Sequence, residues 1–308
     1  MIKQIEITNS SGEKFTLDLM SPDSSGLAIG SIDGLGPTKA NINVTSSATT
    51  DISRYNSAHL DYRNVVFKFI FFEIDKSVEN TRLKTYQMFP LKKMVHITVL
   101  TDNRYLCTDG YVESNEPAIF SEREGTSVSI ICPDPFFYSE LERNKDVTYN
   151  NVKKMFKFPF RTTETKKVIF GYITILPLQE ITNLGDAEVG LSISFIIKGS
   201  DVINPFVMDY NKNQYMKILS SKVVVQEEGS EPVTGLLEND VVKIITVNSK
   251  KKVLLYRNNK EYNIIAALES YMTWLVLEKG INVYTFGADS GLDNLEINYE
   301  YTIVYEGV

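Results

Sequence analysis

The chain of 308 residues is 43% hydrophobic, 23% charged and 11% aromatic, an ordinary soluble globular composition with room for two domains. Its net charge of −7 divides evenly, −4 over residues 1–138 and −3 over the remainder, so neither half has the basic footprint of specific nucleic-acid binding. The densest apolar run, residues 65–72, is broken by Lys68 and falls far short of the ~20 residues that span a bilayer.

Residues 1–15 lack the apolar stretch of a secretory signal, so the expectation is a soluble product made in the cytoplasm, with no membrane insertion. In that compartment Cys107 and Cys132 read as two reduced core thiols rather than a disulfide.

Taken in order, residues 2–19 alternate as a hairpin, IKQIEIT and KFTLDL, around the turn NSSGE. Residues 21–36 read as a Gly/Ser-rich loop. Its glycines at 26, 30, 34 and 36 match neither phosphate-binding spacing, and no helical pattern follows them. Residues 40–50 alternate weakly, and 60–74 form a dense strand region. Between them DISRYNSAHLDYRN, with Arg54, His59, Asp61 and Arg63, reads as a loop hydrogen-bond network and not a catalytic cluster. Residues 78–89 are the best helix in the chain, with Val78, Leu83, Tyr86 and Phe89 as an apolar stripe and Pro90 as the stop. Strands follow at 94–100 and 104–112.

The stretch GYVESNEPAIFSEREGTSVSIICPDPFFY, residues 110–138, reads as a strand ending near Val112, a polar connection, a turn at Gly125 and a second strand. In that strand Val128, Ile130 and Cys132 share one face, and Ser127 and Ser129 the other. Pro133 and Pro135 close it, and Phe136, Phe137 and Tyr138 anchor the exit. The charged run SELERNKD then marks a boundary. Division into residues 1–138, a linker at 139–151 and residues 152–308 follows.

The second part shows short strands at 168–176, 191–197, 217–225, 241–247, 253–256, 272–277, 282–286 and 295–305, the spacing of a β-sandwich. Residues 262–275 also fit a helix. Lys250, Lys251 and Lys252 are expected at a hairpin tip.

Signatures of chemistry are missing. The two histidines, His59 and His96, are far apart, and no H-E-x-x-H, C-x-x-C or G-x-S-x-G occurs. The acidic pairs Glu227/Glu228, Glu122/Glu124 and Glu113/Glu116 read as solvated faces rather than a glycosidase dyad. No catalytic residue, metal ligand or cofactor-binding residue is assigned.

The 110–138 stretch also resembles the end of the N-terminal domain of phage distal tail (Dit) proteins, from siphovirus-type tails of phages of low-GC Gram-positive hosts. The likeness continues at Gly34-Leu-Gly36-Pro37 with Lys39, Ala40, Asn41 and Ile42. It is carried further by Tyr55-Asn56-Ser57, by Leu60-Asp61-Tyr62-Arg63-Asn64 and by Phe89-Pro90-Leu91-Lys92-Lys93. More loosely, it extends to Asn183-Leu-Gly185-Asp186-Ala187-Glu188, Asn204-Pro205, Gly280-Ile-Asn282 and Tyr305-Glu306-Gly307-Val308.

The resemblance implies a mainly β protein. Its N-terminal antiparallel β-sandwich or split-barrel ring domain would carry one helix, and its C-terminal domain would be a galectin-like β-sandwich. The function implied is a non-enzymatic tail-tip and baseplate hub of the virion, a homo-hexamer through which DNA passes. Its partners would be the tail tube protein, the tape measure protein, the tail-associated fibre or lysin (Tal) protein and receptor-binding proteins. Interface or hinge residues on this basis are Gly34, Gly36, Pro37, Arg54, Asn56, Asp61 and Arg63. The exit Pro133, Asp134, Pro135, Phe136, Phe137 and Tyr138 is expected to set the pose of the two domains.

The alternative is a host-surface carbohydrate-binding module of the tail tip. The galectin sugar set is absent: Asn204-Pro205 lies between Ile203 and Phe206, residues 152–308 hold no His, and Trp274 reads as core. A cell-wall hydrolase is a third class, without a convincing acid–base pair.

Overall fold

The computed structural model describes the chain except for residues 22–24, 48–49, 73–76, 140–144, 150–151, 155–170, 174–177, 227–230 and 248–249. The described part is mainly β, in antiparallel sheets, with the single α-helix Val78–Met88 (α1). Contacts divide the chain into two compact units. Residues 1–143 with 304–308 form the first, and residues 144–303 form the second. The segment 304–308, expected with the second domain, thus belongs to the first.

In the first unit the hairpin β1 (Ile2–Thr8) and β2 (Lys14–Asp18) forms as expected. Residues 27–33, expected as loop, form the strand β3 (Leu27–Asp33). Next come the two strands β4 (Ala40–Ser47) and β5 (Thr50–Leu60), then β6 (Arg63–Phe71). After α1 follow β7 (Met94–Thr101), β8 (Tyr105–Pro117), β9 (Gly125–Cys132) and β10 (Phe137–Ser139). The main sheet runs β2-β1-β7-β8-β9-β6-β3. Strand β8 does not end near Val112 but continues past a register shift between Val112 and Ser114. Its first half pairs with β10 and its second half with β9 on that side. There the sheet divides.

Alternation in β6 buries Arg63, Val65, Phe67, Phe69 and Phe71 and turns Asn64 and Lys68 outward. These apolar residues join Ile5, Ile7, Val95, Ile97, Val128 and Ile130 in one core cluster. Phe67, Phe69 and Phe89 pack as a triad with ring centroids 5.6–6.2 Å apart. Each such ring withdrawn from water contributes about 1.5–3 kcal/mol. Cys107 and Cys132 are buried free thiols.

Helix α1 starts where the Ser77 side chain accepts the Asn80 amide and ends with the Phe89 amide on the Thr85 carbonyl; Pro90 cannot continue it. Only the ends of the expected stripe turn inward: Phe89 lies in the core and Val78 packs against it. Thr81, Thr85 and Met88 are buried, whereas Leu83 and Tyr86 are 49% and 39% exposed. Residues 81, 85 and 88 follow the i, i+4, i+7 spacing of a helix face; the fully apolar choice does not.

The second unit has two main sheets. One orders strands Lys145–Tyr149, Leu295–Tyr301, Ser192–Ile197, Val241–Ile245, Lys252–Arg257 and Lys260–Asn263; the other orders Gln179–Asn183, Gly280–Gly287, Phe206–Asp209 and Gln214–Lys217. Tyr284 of the second sheet stacks on Tyr299 of the first, centroids 5.7 Å apart, and both are fully buried. The sheets therefore pack face to face as a sandwich.

The strand expected at 272–277 is shorter, and the helix that residues 262–275 also fit does not form. Residues 265–267 form a 3-10 turn and only Val276–Leu277 is strand. Strands Gln179–Asn183, Phe206–Asp209 and Lys260–Asn263 had no place in the sequence reading. The expected strand at 168–176 lies mostly outside the described residues, as do residues 227–228 and 248–249.

Candidate functional site

The stretch read as a loop is a β-ribbon. β4 and β5 pair only with each other among the described residues, and the described residues of both strands are exposed throughout. Register sets Ala40 opposite Leu60, Ile42 opposite Ala58 and Val44 opposite Tyr55. A strand's side chains alternate between faces, so these six form one apolar face. Asn41, Asn43 and Thr45 lie on the other, opposite His59, Ser57 and Arg54. Asn56 is the extra residue where the register shifts, and its side-chain amide donates to Thr45 Oγ1 at 2.6 Å. Ile42, Val44 and Tyr55 are 53–62% exposed. A two-stranded ribbon alone in water is marginally stable, and this one carries an unburied apolar face.

At the ribbon's root sits Arg63. Because it begins β6 on the core-facing side, its guanidinium is carried inward and is 1% exposed. Among the described residues it meets carbonyl oxygens and no carboxylate. Nε and Nη2 donate to Pro135 at 2.9 and 2.6 Å. Nη1 donates to Gly34 and Gly36 at 2.5 and 2.6 Å, and Nη2 also to Glu306 at 2.6 Å. The Phe137 ring lies 4.3 Å beneath, a cation–π contact. Burial pulls its pKa below the usual arginine value, while Cys132 and Asp134 act in the opposite sense. Gly34, at φ +85, leaves space for no side chain, since a Cβ would stand 1.9 Å from the Asn64 carbonyl. Gly34, Gly36, Pro37, Lys39, Asp61 and Arg63 border an open cleft of about 450 Å³.

The predicted residues therefore fall into four places. Gly34, Gly36, Arg63, Pro135 and Phe137 meet in the arginine clamp, with Pro37 and Asp61 at its rim. Arg54 and Asn56 lie out on the ribbon. Pro133 and Asp134 are exposed, and Asp134 Oδ1 accepts the Phe136 amide at 3.0 Å.

Tyr138 belongs to another cluster that sequence spacing did not reveal. Its hydroxyl donates to Asp109 Oδ2 at 2.8 Å, and Asp109 Oδ1 lies 2.6 Å from His96 Nδ1. The Asp109 hydrogen bond is the largest cause that raises the His96 pKa, to about 10. The cross-strand register of β7 and β8 sets His96 opposite Asp109, and pairing of β10 with β8 brings Tyr138 beside them.

His59 and Asp61 lie 3.5 Å apart and both are exposed. Among the described residues no three His, Cys, Asp or Glu side chains are placed to hold a metal ion, and no helix is long and apolar enough to cross a membrane. In the second unit Asn204 is engaged with Ser220 and Asp289. Trp274, expected as core, is only half-buried, with Lys251 Nζ 5.5 Å from its ring centroid.

No family model and no curated protein matches the sequence. Solved structures do match the fold. Similarity to the Dit protein of phage SPP1, a hub of the adsorption apparatus in phages that infect Gram-positive bacteria, covers 97% of this chain and 98% of that one, with a TM-score of 0.59 at 10% identity. Chains from the phage p2 baseplate in its activated conformation, with Sr and with Ca, match over 99% and 100% of both chains at TM-scores of 0.43 and 0.44 and identities of 14% and 13%. From its first unit through its second, this chain has the fold of the SPP1 Dit protein.

Proposed function

We propose that this protein is a distal tail hub of a tailed phage, a virion structural protein rather than an enzyme. Its first unit assembles as a homo-hexameric ring at the tail tip, and its second unit is a galectin-like sandwich. The ring joins the tail tube to the tail-associated fibre or lysin protein, contacts the tape measure and receptor-binding proteins, and leaves a passage for DNA. One observation carries the reading: correspondence with the SPP1 Dit fold over 97% of the chain. The exposed ribbon supports it, because head-to-tail contacts close a ring when the rotation fits and pairing removes open strand edges. A net charge of −7 suits a passage that must not hold DNA.

Light scattering and negative-stain imaging test this. The expected result is a hexamer of the 34.9 kDa chain with an open centre, formed alone or on mixing with tail tube and fibre proteins. The double variant Ile42→Asp, Tyr55→Asp should keep its circular dichroism and lose the ring. A monomer under every mixture refutes the hub.

A second reading, saccharide binding by the second unit, is favoured by Tyr271. It is fully exposed at φ 71, a strained conformation that concentrates at functional sites. A glycan array comparing the parent with Tyr271→Ala decides it; silence in both removes this reading.

A further inference from the structure

The first unit is completed by residues that follow the second unit in sequence. Val304 and Tyr305 pair antiparallel with Tyr138 and Phe137 of β10. The Glu306 carbonyl accepts Arg63 Nη2, and the Val308 amide donates to the Leu35 carbonyl at 3.0 Å. Tyr305 is buried beneath the Arg104 guanidinium, 4.7 Å from its ring. At Gly307 an added Cβ would lie 3.1 Å from the Leu35 carbonyl and 3.3 Å from Gly36. Backbone pairing, a buried aromatic and a glycine at the closest approach together make the recognition pattern of an extended segment added to a sheet edge.

We infer that the first unit carries a docking groove for an extended segment, and that residues 304–308 occupy it as a strap whose seating orders the root of the ribbon. Among the described residues the strap's strand pairs with the three-residue β10 alone, so its opening belongs to the low end of local stability. Its seat and the ribbon's root share partners. The guanidinium that holds Glu306 also holds Gly34 and Gly36, and Leu35 between them holds Val308. When the strap leaves, a buried cation loses an acceptor and the 34–36 turn loses its second tie. Strap seating and ribbon order are thereby linked, each favouring the other. Any effect on ring assembly rests on the hub reading; docking does not.

The test is hydrogen exchange on three forms of the full chain: the parent, a deletion of residues 304–308, and Gly307→Val, which crowds the seat and changes nothing earlier in the chain. Exchange at residues 34–39 and 135–138 should quicken by about ten- to a hundredfold, the loss of one hydrogen bond to a charged group. Residues 5–8 and 97–99, in the sheet's other half, should not change. A synthetic peptide of residues 303–308 added to the deletion should restore protection. Unchanged exchange in both variants overturns the inference. So does loss of protection throughout the unit, which would make the strap an inseparable part of the core. Light scattering on the same samples separates the two proposals. Altered exchange with an unaltered hexamer keeps the strap and removes its hold on assembly; absence of a hexamer in the parent refutes the hub alone.

Discussion

Replacing Arg63 by Met removes five hydrogen bonds to four carbonyl oxygens and the stacking on Phe137, while keeping an unbranched apolar stem. Gly34 and Gly36 border the open cleft, where water can take over their bonds. The Pro135 and Glu306 carbonyls and the ring contact remain as the larger loss. A bond from a charged donor contributes roughly 1.5–3 kcal/mol net, and a cation over an aromatic ring about 0.5–2 kcal/mol. Removing the charge also relieves its desolvation. The balance is a loss of about 3–4 kcal/mol for Arg63→Met, and of about 2 kcal/mol for Arg63→Lys, whose ammonium lacks the planar fork. Trp274, the one tryptophan, reports the second unit, so the first is followed by hydrogen exchange at Val65, Phe67 and Phe69 in β6. Exchange there should rise by more than about a hundredfold in Arg63→Met, with the fluorescence transition in urea unmoved. An increase below about fivefold, under ~1 kcal/mol, refutes the clamp as the anchor of the ribbon's root.

The glycine turn gives a paired test by thermal unfolding. Gly34→Ala meets a carbonyl at 1.9 Å and a positive φ and should cost about 3 kcal/mol or more, whereas Gly36→Ala, with nothing within 4 Å, should stay within about 0.5 kcal/mol. For His96, the folded pKa of about 10 stands above the ordinary ~6.5. Its contribution is therefore full below pH ~6.5 and is lost as pH rises through about 10. Urea midpoints across that window should fall in the parent and flatten in His96→Gln; parallel curves would contradict the Asp109 pairing. On α1, Leu83→Lys should change stability by under about 0.5 kcal/mol and Met88→Ala should cost about 2–5 kcal/mol, the reverse of what the apolar stripe predicts; chemical denaturation of both variants decides between the two faces.

Sequence pattern exposed what is local and periodic. The alternation through Val128, Ile130 and Cys132 is the alternation of β9, and the hairpin β1–β2 forms where its turn residues stand. Where burial does not alternate, the pattern fails. β5 is strand for eleven residues, yet the extra residue Asn56 shifts its register, so Tyr55, Ala58 and Leu60 share a face without standing at strict period 2, and the stretch reads as loop. On α1 the buried positions include two threonines, short enough to lie close to β6 yet polar enough to be passed over. Arg63 was legible as a motif residue, but its burial follows only from its parity with Val65 and Phe67. Nothing local marks residues 304–308 as part of the first unit, since Arg63 and Glu306 lie 243 positions apart in sequence.

The clamp and the ribbon make sense only together. Burying a guanidinium against carbonyls alone incurs desolvation with no carboxylate to offset it, and exposing Ile42, Val44 and Tyr55 on a free ribbon forfeits the burial that their surfaces could gain. The exposed face is unfavourable in an isolated chain; fixing the root makes the ribbon's direction reproducible, which reduces the ordering entropy when a partner covers it. The ribbon's charges are mixed, Lys39 and Arg54 being matched in number by Asp51 and Asp61, so no net field draws phosphate to it. A balanced, apolar-faced strand pair with unpaired edges is complementary to another protein's sheet edge. That partner class, predicted from the ribbon's own chemistry, is the one the proposed ring would supply.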